Sequence, residues 1–356
     1  MEILITDCGI YPHNSDAYYE SFHIADLLSS KYDVDIFKDR ILDIPQGKDI
    51  KSFDEIIHKK YEIIISLNPI DFSYIIKYIK LAKHKPSIIF IDRFSLTEKL
   101  YNHLKSPYTK ILIKILKYMS FYFTTRKNET NMAQRFFSGL NIVYIPPYIS
   151  NSHFAEKPNS DCDFPILFSS IIDNKYSDLK TLIKAIKYIA NSDFAERNDF
   201  KIDVIGNGVD YEKFKRKIAR NKISEYFVFN SGNDYSHIQP QLRIHLFSLV
   251  IPSNLAFLNE TLSLMANGIP AIIDSDSNEF INDTINGLIF EKGNWRDLAN
   301  KIMLMLATDT KEMKMNAISK AREIEASYDF KLLSAVDNVV NAVRQMKYDE
   351  EIDSKL

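Results

Sequence analysis

Three stretches of the chain carry residue types able to do chemistry. Val204-Ile205-Gly206-Asn207-Gly208 is an apolar run entering a Gly-x-Gly turn. Glycine there lets the backbone approach a phosphate or a base closely, and a plain tight turn is the other reading. Ile166–Ser169 is followed by Ser170-Ile171-Ile172-Asp173-Asn174-Lys175 and a helix from about Asp178. A lysine near a helix start adds a point charge to the helix dipole and can neutralise a diphosphate; alone it also reads as an ordinary surface lysine. Ile251-Pro252-Ser253-Asn254 then leads to Leu258-Asn259-Glu260-Thr261. Asn259 reads as the N-cap of a helix, Glu260 as its first-turn acid and Gly268 as its C-terminal stop. Glu260 either serves that cap or hydrogen-bonds a ribose or sugar hydroxyl.

A second set lies elsewhere. Asp92 and Arg93 follow the apolar run Ile88–Ile91. At a strand end facing a cleft, such a carboxylate can orient or deprotonate an acceptor hydroxyl, and the guanidinium can bind a phosphate or an acidic sugar; a local ion pair or loop cap is the alternative. Asp274-Ser275-Asp276 has the spacing of a metal-binding Asp-x-Asp, against which stands a polar turn. Cys8 and Cys162 offer neither metal-ligand spacing nor a disulfide framework, which fits a reduced, cytoplasmic setting. Along Tyr108–Phe123, Lys110, Lys114 and Lys117 share one face at i, i+4 and i+7. A basic amphipathic helix of this kind docks on an anionic membrane, or packs on the core with a solvated lysine edge.

These residues need strand ends to present them. Apolar runs at 2–7, 33–37, 63–66, 88–91, 121–125 and 142–145 read as strands, with helices at 18–30 and 72–83 among them. The Pro-rich segment 146–165 interrupts the rhythm and reads as a linker. Strands resume at 166–169, 201–205, 227–229, 249–251, 271–273 and 287–290, and a last helix at about 330–346 runs into a charged tail. Alternating strands and helices predict two α/β domains, each a parallel sheet covered on both faces. Their expected extents are 1–155 and 156–328, with 329–356 as final helix and tail. Ligands of such sheets collect at the carboxyl ends of the strands, where the three stretches fall.

Composition removes other classes. Nine glycines in 356 residues exclude collagen-like and glycine-rich linker proteins, and six of the nine lie between 206 and 293. An apolar fraction of 46% and a charged fraction of 26% are those of a globular protein. Residues 59–135 hold fifteen Lys/Arg against five Asp/Glu, a basic region suited to something anionic. A net charge of −2 and no interleaved stacking motif argue against nucleic acid as a partner. The longest apolar stretch, 244–258, is broken by Pro252, so no membrane span is expected. Nor does the N-terminus read as a signal peptide.

The order of Lys175, Gly206-x-Gly208, Pro252-Ser253, Met265-Ala266-Asn267-Gly268-Ile269-Pro270 and Asn286-Gly287-Leu288-Ile289-Phe290 resembles the retaining glycosyltransferases of the GT-B fold. The likeness is to the large family that includes sucrose synthase and many bacterial glycan-building transferases. It covers residues 166–306 well and the first half loosely. The resemblance implies two Rossmann-like domains with a deep interdomain cleft and a C-terminal helix crossing back to the first. It further implies a metal-independent transfer from a nucleotide-sugar, UDP- or GDP-linked, to a glycan or lipid-linked acceptor, with no cofactor. The implied donor-binding set is Ser170, Lys175, Gly206, Gly208, Ser253, Asn254, Asn259 and Thr261; His13, Asp16 and Arg93 fall on the acceptor side, and Asp92 and Glu260 are the catalytic candidates.

Several family positions are changed. The two glutamates that precede the Ala-Met-Ala motif fall at Leu255 and Ser263, the phosphate-binding arginine at Ser170 and the first-domain histidine at Asp92. His13-Asn14-Ser15-Asp16 replaces the glycine pair of the acceptor loop. Two further readings therefore stand beside a transferase: a non-catalytic subunit of the same fold that binds glycan or a partner enzyme, and a sugar-nucleotide epimerase.

Overall fold

The computed structural model describes residues 1–8, 16–39, 49–93, 116–137, 139–150, 154, 164–169, 172, 178–206, 208–230, 245–251 and 258–353. They form two compact units, Met1–Tyr148 with Glu325–Leu356, and Ile149–Ile324.

The first unit holds strands β1 (Glu2–Thr6), β2 (Asp33–Phe37), β3 (Ile63–Ser66), β4 (Ser87–Asp92), β5 (Phe121–Thr124) and β6 (Asn141–Tyr144). They pair in parallel in the order β2-β1-β3-β4-β5-β6. Their near-continuous apolar sequences follow from burial on both faces. On one face pack Ile3, Ile5, Ile63, Ile65, Ile89 and Phe123, with Phe22 and Leu28 of helix α1 (Asp16–Ser29). Leu4, Ile64, Ile88, Phe90 and Tyr122 fill the other, beneath α2 (Phe53–Ile56), α3 (Asp71–Ala82) and α4 (Lys127–Phe136).

The second unit repeats the plan with β7 (Phe164–Ser169), β8 (Ile202–Ile205), β9 (Phe227–Asn230), β10 (His245–Val250), β11 (Ala271–Asp274) and β12 (Gly287–Phe290). Their order, β12-β11-β10-β7-β8-β9, is all parallel and is that of a Rossmann sheet. Helices α5 (Leu179–Ala190), α6 (Asp193–Arg197), α7 (Tyr211–Arg220), α8 (Leu258–Ala266) and α9 (Trp295–Ala307) follow its strands. Each sheet has one point where strand order reverses, between β1 and β3 and between β7 and β10, and ligand crevices of open α/β sheets form there.

Helix α10 spans Lys311–Asp353, 43 residues, where the sequence reading ends a helix near 346 and begins it only at 330. Two features carry it further. Residues 311–353 contain neither glycine nor proline, and apolar residues recur at helical spacing throughout. Ala317, Ala321 and Ile324 pack into the second unit, then Tyr328, Leu332, Val336, Val339, Val340 and Val343 into the first. Each Leu, Ile or Val among them contributes roughly 1.5–3 kcal/mol when fully buried. The division at Ile324 therefore falls inside one uninterrupted helix.

Candidate functional site

At the reversal point of the first sheet the strand ends are held by carboxylates. Asp71, at the start of α3, is fully buried. Its Oδ1 accepts the Cys8 N–H at 2.7 Å. Its Oδ2 accepts from Thr6 Oγ1 and Ser66 Oγ, both at 3.0 Å, and from the Leu67 and Asn68 N–H groups, both at 3.1 Å. One side chain thus ties the ends of β1 and β3 together. Burial, with the neighbouring charge of Asp7, pushes its carboxyl up to about 6. Burial also raises the Cys8 thiol far above its usual range, so it is an inert core group.

Around that clamp lies a buried charge network. Asp7, just past β1, sits 3.7 Å from Lys38 Nζ and 3.5 Å from Arg93. Arg93 Nε lies 2.8 Å from Glu20 of α1, and Glu20 accepts from the Tyr328 hydroxyl of α10 at 2.7 Å. The Arg93 and Lys38 side chains are each only 4% exposed. Burial lowers the Lys38 pKa, against the pull of Asp7. Asp92 is fully buried and accepts from the Tyr122 hydroxyl at 2.5 Å. Asp92 and Arg93, read from sequence as groups that project from a strand end, are both enclosed within their own unit, Arg93 in ion pairs and Asp92 by hydrogen bonding. Sequence reasoning missed Asp7, Glu20, Lys38, Asp71 and Tyr328, each of which has a partner far away in the chain. The only local signal was an aspartate at the end of the first apolar run.

The second sheet's reversal point is built from backbone. Gly206 and Gly208 follow β8 with φ of 146° and 158°. A Cβ on Gly208 would stand 2.4 Å from the Ile172 carbonyl oxygen and 2.9 Å from its nitrogen. The close approach that this glycine permits is to the segment after β7. Asp210 N–H donates to the same Ile172 carbonyl at 3.0 Å, and Tyr211 N–H to the Gly208 carbonyl at 3.1 Å, starting α7. Across the reversal, Asp178 N–H donates to the Ile251 carbonyl at 2.9 Å. The Asp178 side chain caps α5 through the Thr181 N–H at 3.1 Å. After β10, α8 begins at Leu258, a residue before the expected cap Asn259, and ends at Ala266, with Gly268 two residues on at φ 75°. Asn259 and Glu260 lie in its first turn; Thr261 beside them is buried. The start of α8 thus follows the strand that borders the glycine turn's own sheet neighbour, β7.

Ser170, Lys175, Ser253, Asn254 and His13 lie outside the described residues, and Asp16 is placed only as the first residue of α1. Lys110 and Lys114 of the basic run also lie outside them. Asp274-Ser275-Asp276 forms a turn: Asp274 Oδ1 accepts the N–H groups of Asp276 and Ser277, each at 3.0 Å, and Asp276 pairs with Lys292 at 3.3 Å. Among the described residues no group of three or more His, Cys, Asp or Glu is placed to hold a metal ion, and no helix is long and apolar enough to cross a membrane.

Comparison with known proteins agrees with this architecture. Residues 151–324 match the family model of glycosyl transferases group 1. A poly(glycerol-phosphate) alpha-glucosyltransferase of Bacillus subtilis is 19% identical over 268 residues, covering 68% of this chain; the chain spans only 39% of that relative's length. Among solved structures, the lipopolysaccharide outer core galactosyltransferase WaaB superposes with a TM-score of 0.69 at 16% identity, over 95% of this chain and 99% of that one. Sucrose-phosphate synthase from Thermosynechococcus elongatus gives 0.70 at 13% identity, over 96% and 99%. Anabaena HepE, in complex with UDP and glucose, gives 0.66 at 12%, over 96% and 100%. The two Rossmann-like units followed by a long C-terminal helix have the GT-B fold, and residues 151–324 are similar to the group 1 glycosyl transferases.

Proposed function

We propose that the chain transfers a sugar from a UDP- or GDP-linked donor to a surface-glycan or lipid-linked acceptor, without a metal ion and with retention at the anomeric carbon. The observation that carries this reading is the reversal point of the second sheet. There a glycine turn, the capped start of α5 and the first turn of α8 all follow strands β7, β8 and β10, on backbone rather than bulky side chains. Helix N-termini and glycine turns of this kind favour an anionic diphosphate. In this reading Lys175 and Ser170 join the turn in holding the leaving diphosphate, so that stabilising the departing charge is the main catalytic contribution. Ser253, Asn254, Asn259, Glu260 and Thr261 then meet the ribose or the donor sugar.

The acceptor would be met by His13 and Asp16. Arg93 and Asp92, enclosed as described, serve to hold the strand ends. The names of the relatives, which act on poly(glycerol-phosphate) and on lipopolysaccharide core, support a surface glycan as acceptor. The basic run 108–123 would bring the chain to an anionic membrane face. The test is a thermal-shift panel of UDP, GDP, ADP and CMP, followed by turnover of Lys175→Ala. One nucleotide should raise Tm, and the variant should lose transfer while keeping the fold. Near-normal turnover of that variant would sink the assignment. No response to any nucleotide would favour the non-catalytic subunit, to which the changed glutamate positions at Leu255 and Ser263 also point.

A further inference from the structure

The second unit carries a groove that the transfer reaction does not use. It is lined by Lys184, Lys187, Tyr188, Asn191 and Ser192, from α5 and the turn after it, and by Trp295 at the start of α9. Its volume, about 610 Å³, falls in the span of small-molecule sites, about 300–1,000 Å³. The opposite side of α5 is core: Leu182, Ala185, Ile186 and Ile189 are buried. Tyr188, by contrast, leaves 45% of its surface in solvent. Its ring meets Trp295 edge to face, centroids 5.6 Å apart at 61°. The Arg296 guanidinium lies 4.9 Å from the Trp295 ring centre and stiffens the pair.

We propose that this groove binds an acidic oligosaccharide. Three features select that ligand, none of which depends on the transferase reading. A rigid Tyr–Trp wall offers apolar surface for the C–H face of a pyranose ring at low entropy cost. The Asn191 amide already donates to the Lys187 carbonyl at 2.7 Å, and the Ser192 hydroxyl to the Ile189 carbonyl at 2.6 Å. The Ser192 oxygen is thereby left to accept from a sugar hydroxyl, and the Asn191 amide keeps its oxygen and a second N–H with which to meet another. Lys184 and Lys187 are exposed one turn apart, and no residue lining the groove is acidic. That positive rim complements a carboxylate on the sugar and gives a neutral sugar no use for it.

The chain supplies its own reporter, since Trp295 is its one tryptophan. Hexagalacturonate, titrated into the full chain, should change tryptophan emission in a saturable way. Maltohexaose should bind at least about tenfold more weakly, and the hexagalacturonate signal should weaken with added salt. Lys184→Ala with Lys187→Ala, two exposed positions that leave the fold intact, should cost roughly tenfold in affinity. Nucleotide thermal shifts of the double variant should be unchanged, which separates this groove from the donor site. Equal binding of the two oligosaccharides, an unaffected double variant, or no change in emission would overturn the proposal. An emission change given by phosphatidylglycerol vesicles but not by hexagalacturonate would overturn it too, making the groove a lipid-facing patch.

Discussion

The carboxyl edges of the two sheets solve the same topological problem with different materials. At the first, the gap where strand order reverses is filled by the protein's own charges: Asp71 gathers five donors, and Asp7, Lys38, Arg93 and Glu20 neutralise one another out of contact with water. At the second it is edged by backbone, with Gly208 pressed on Ile172 and helix starts following the strands. Charges already paired with one another have little left for a ligand; helix N-termini and a glycine turn favour an anion. The contrast teaches that one edge is closed by its own charges, while the other, in the function proposed above, is the one left to recognition.

Breaking the charged edge should have the largest effect. Arg93→Ala leaves Glu20 and Asp7 buried without their guanidinium, a loss of about 3–5 kcal/mol by urea denaturation, with nucleotide binding to the surviving fold unchanged. A loss under about 1 kcal/mol would show that the network is hydrated and open to a ligand. Next comes pH. The Asp71 carboxyl titrates at about 6 in the fold against 3.8 in a model peptide, so between those values the folded state holds more protons than the unfolded one. Its contribution is therefore present below about 4 and lost as pH rises through 6, by up to about 3 kcal/mol. Asp71→Asn, whatever its absolute cost, should flatten that slope between pH 4 and 6.

The backbone edge should respond differently. Gly208→Ala drives a methyl group into the Ile172 carbonyl, costing about 2 kcal/mol of stability, and should weaken nucleotide binding at least about tenfold by calorimetry. Stability lost with full nucleotide affinity would move the donor away from this turn. The smallest effect is expected at the far end of the charged edge. Tyr328→Phe removes one buried hydrogen bond to Glu20, about 1 kcal/mol, and should leave nucleotide binding unaltered.

The strands were legible because parallel-sheet strands are continuous apolar runs, and those of both sheets stand where such runs occur. The boundaries that slipped have local causes. Pro165 sent the start of β7 into the expected linker, although a proline near the beginning of a strand need not break the ladder. β10 begins at His245, inside an apolar stretch too long to divide by periodicity alone. Of the candidate site, the glycine turn was readable as a turn, since Gly-x-Gly after an apolar run marks one in either of its readings. Its packing against Ile172 was not, nor was the Arg93–Glu20–Tyr328 chain. Those contacts join residues tens to hundreds of positions apart, and nothing in a local window distinguishes a buried arginine from an exposed one.

Helix α10 also sets an order on biosynthesis. Leu332, Val336, Val339, Val340 and Val343 complete one face of the first sheet, whose strands all lie before residue 145. A ribosome has therefore made every strand of that sheet, and the whole second unit, before it makes the residues that cover it. The nascent first unit must wait with an apolar face uncovered, the state in which a growing chain is most open to aggregation and to capture by chaperones.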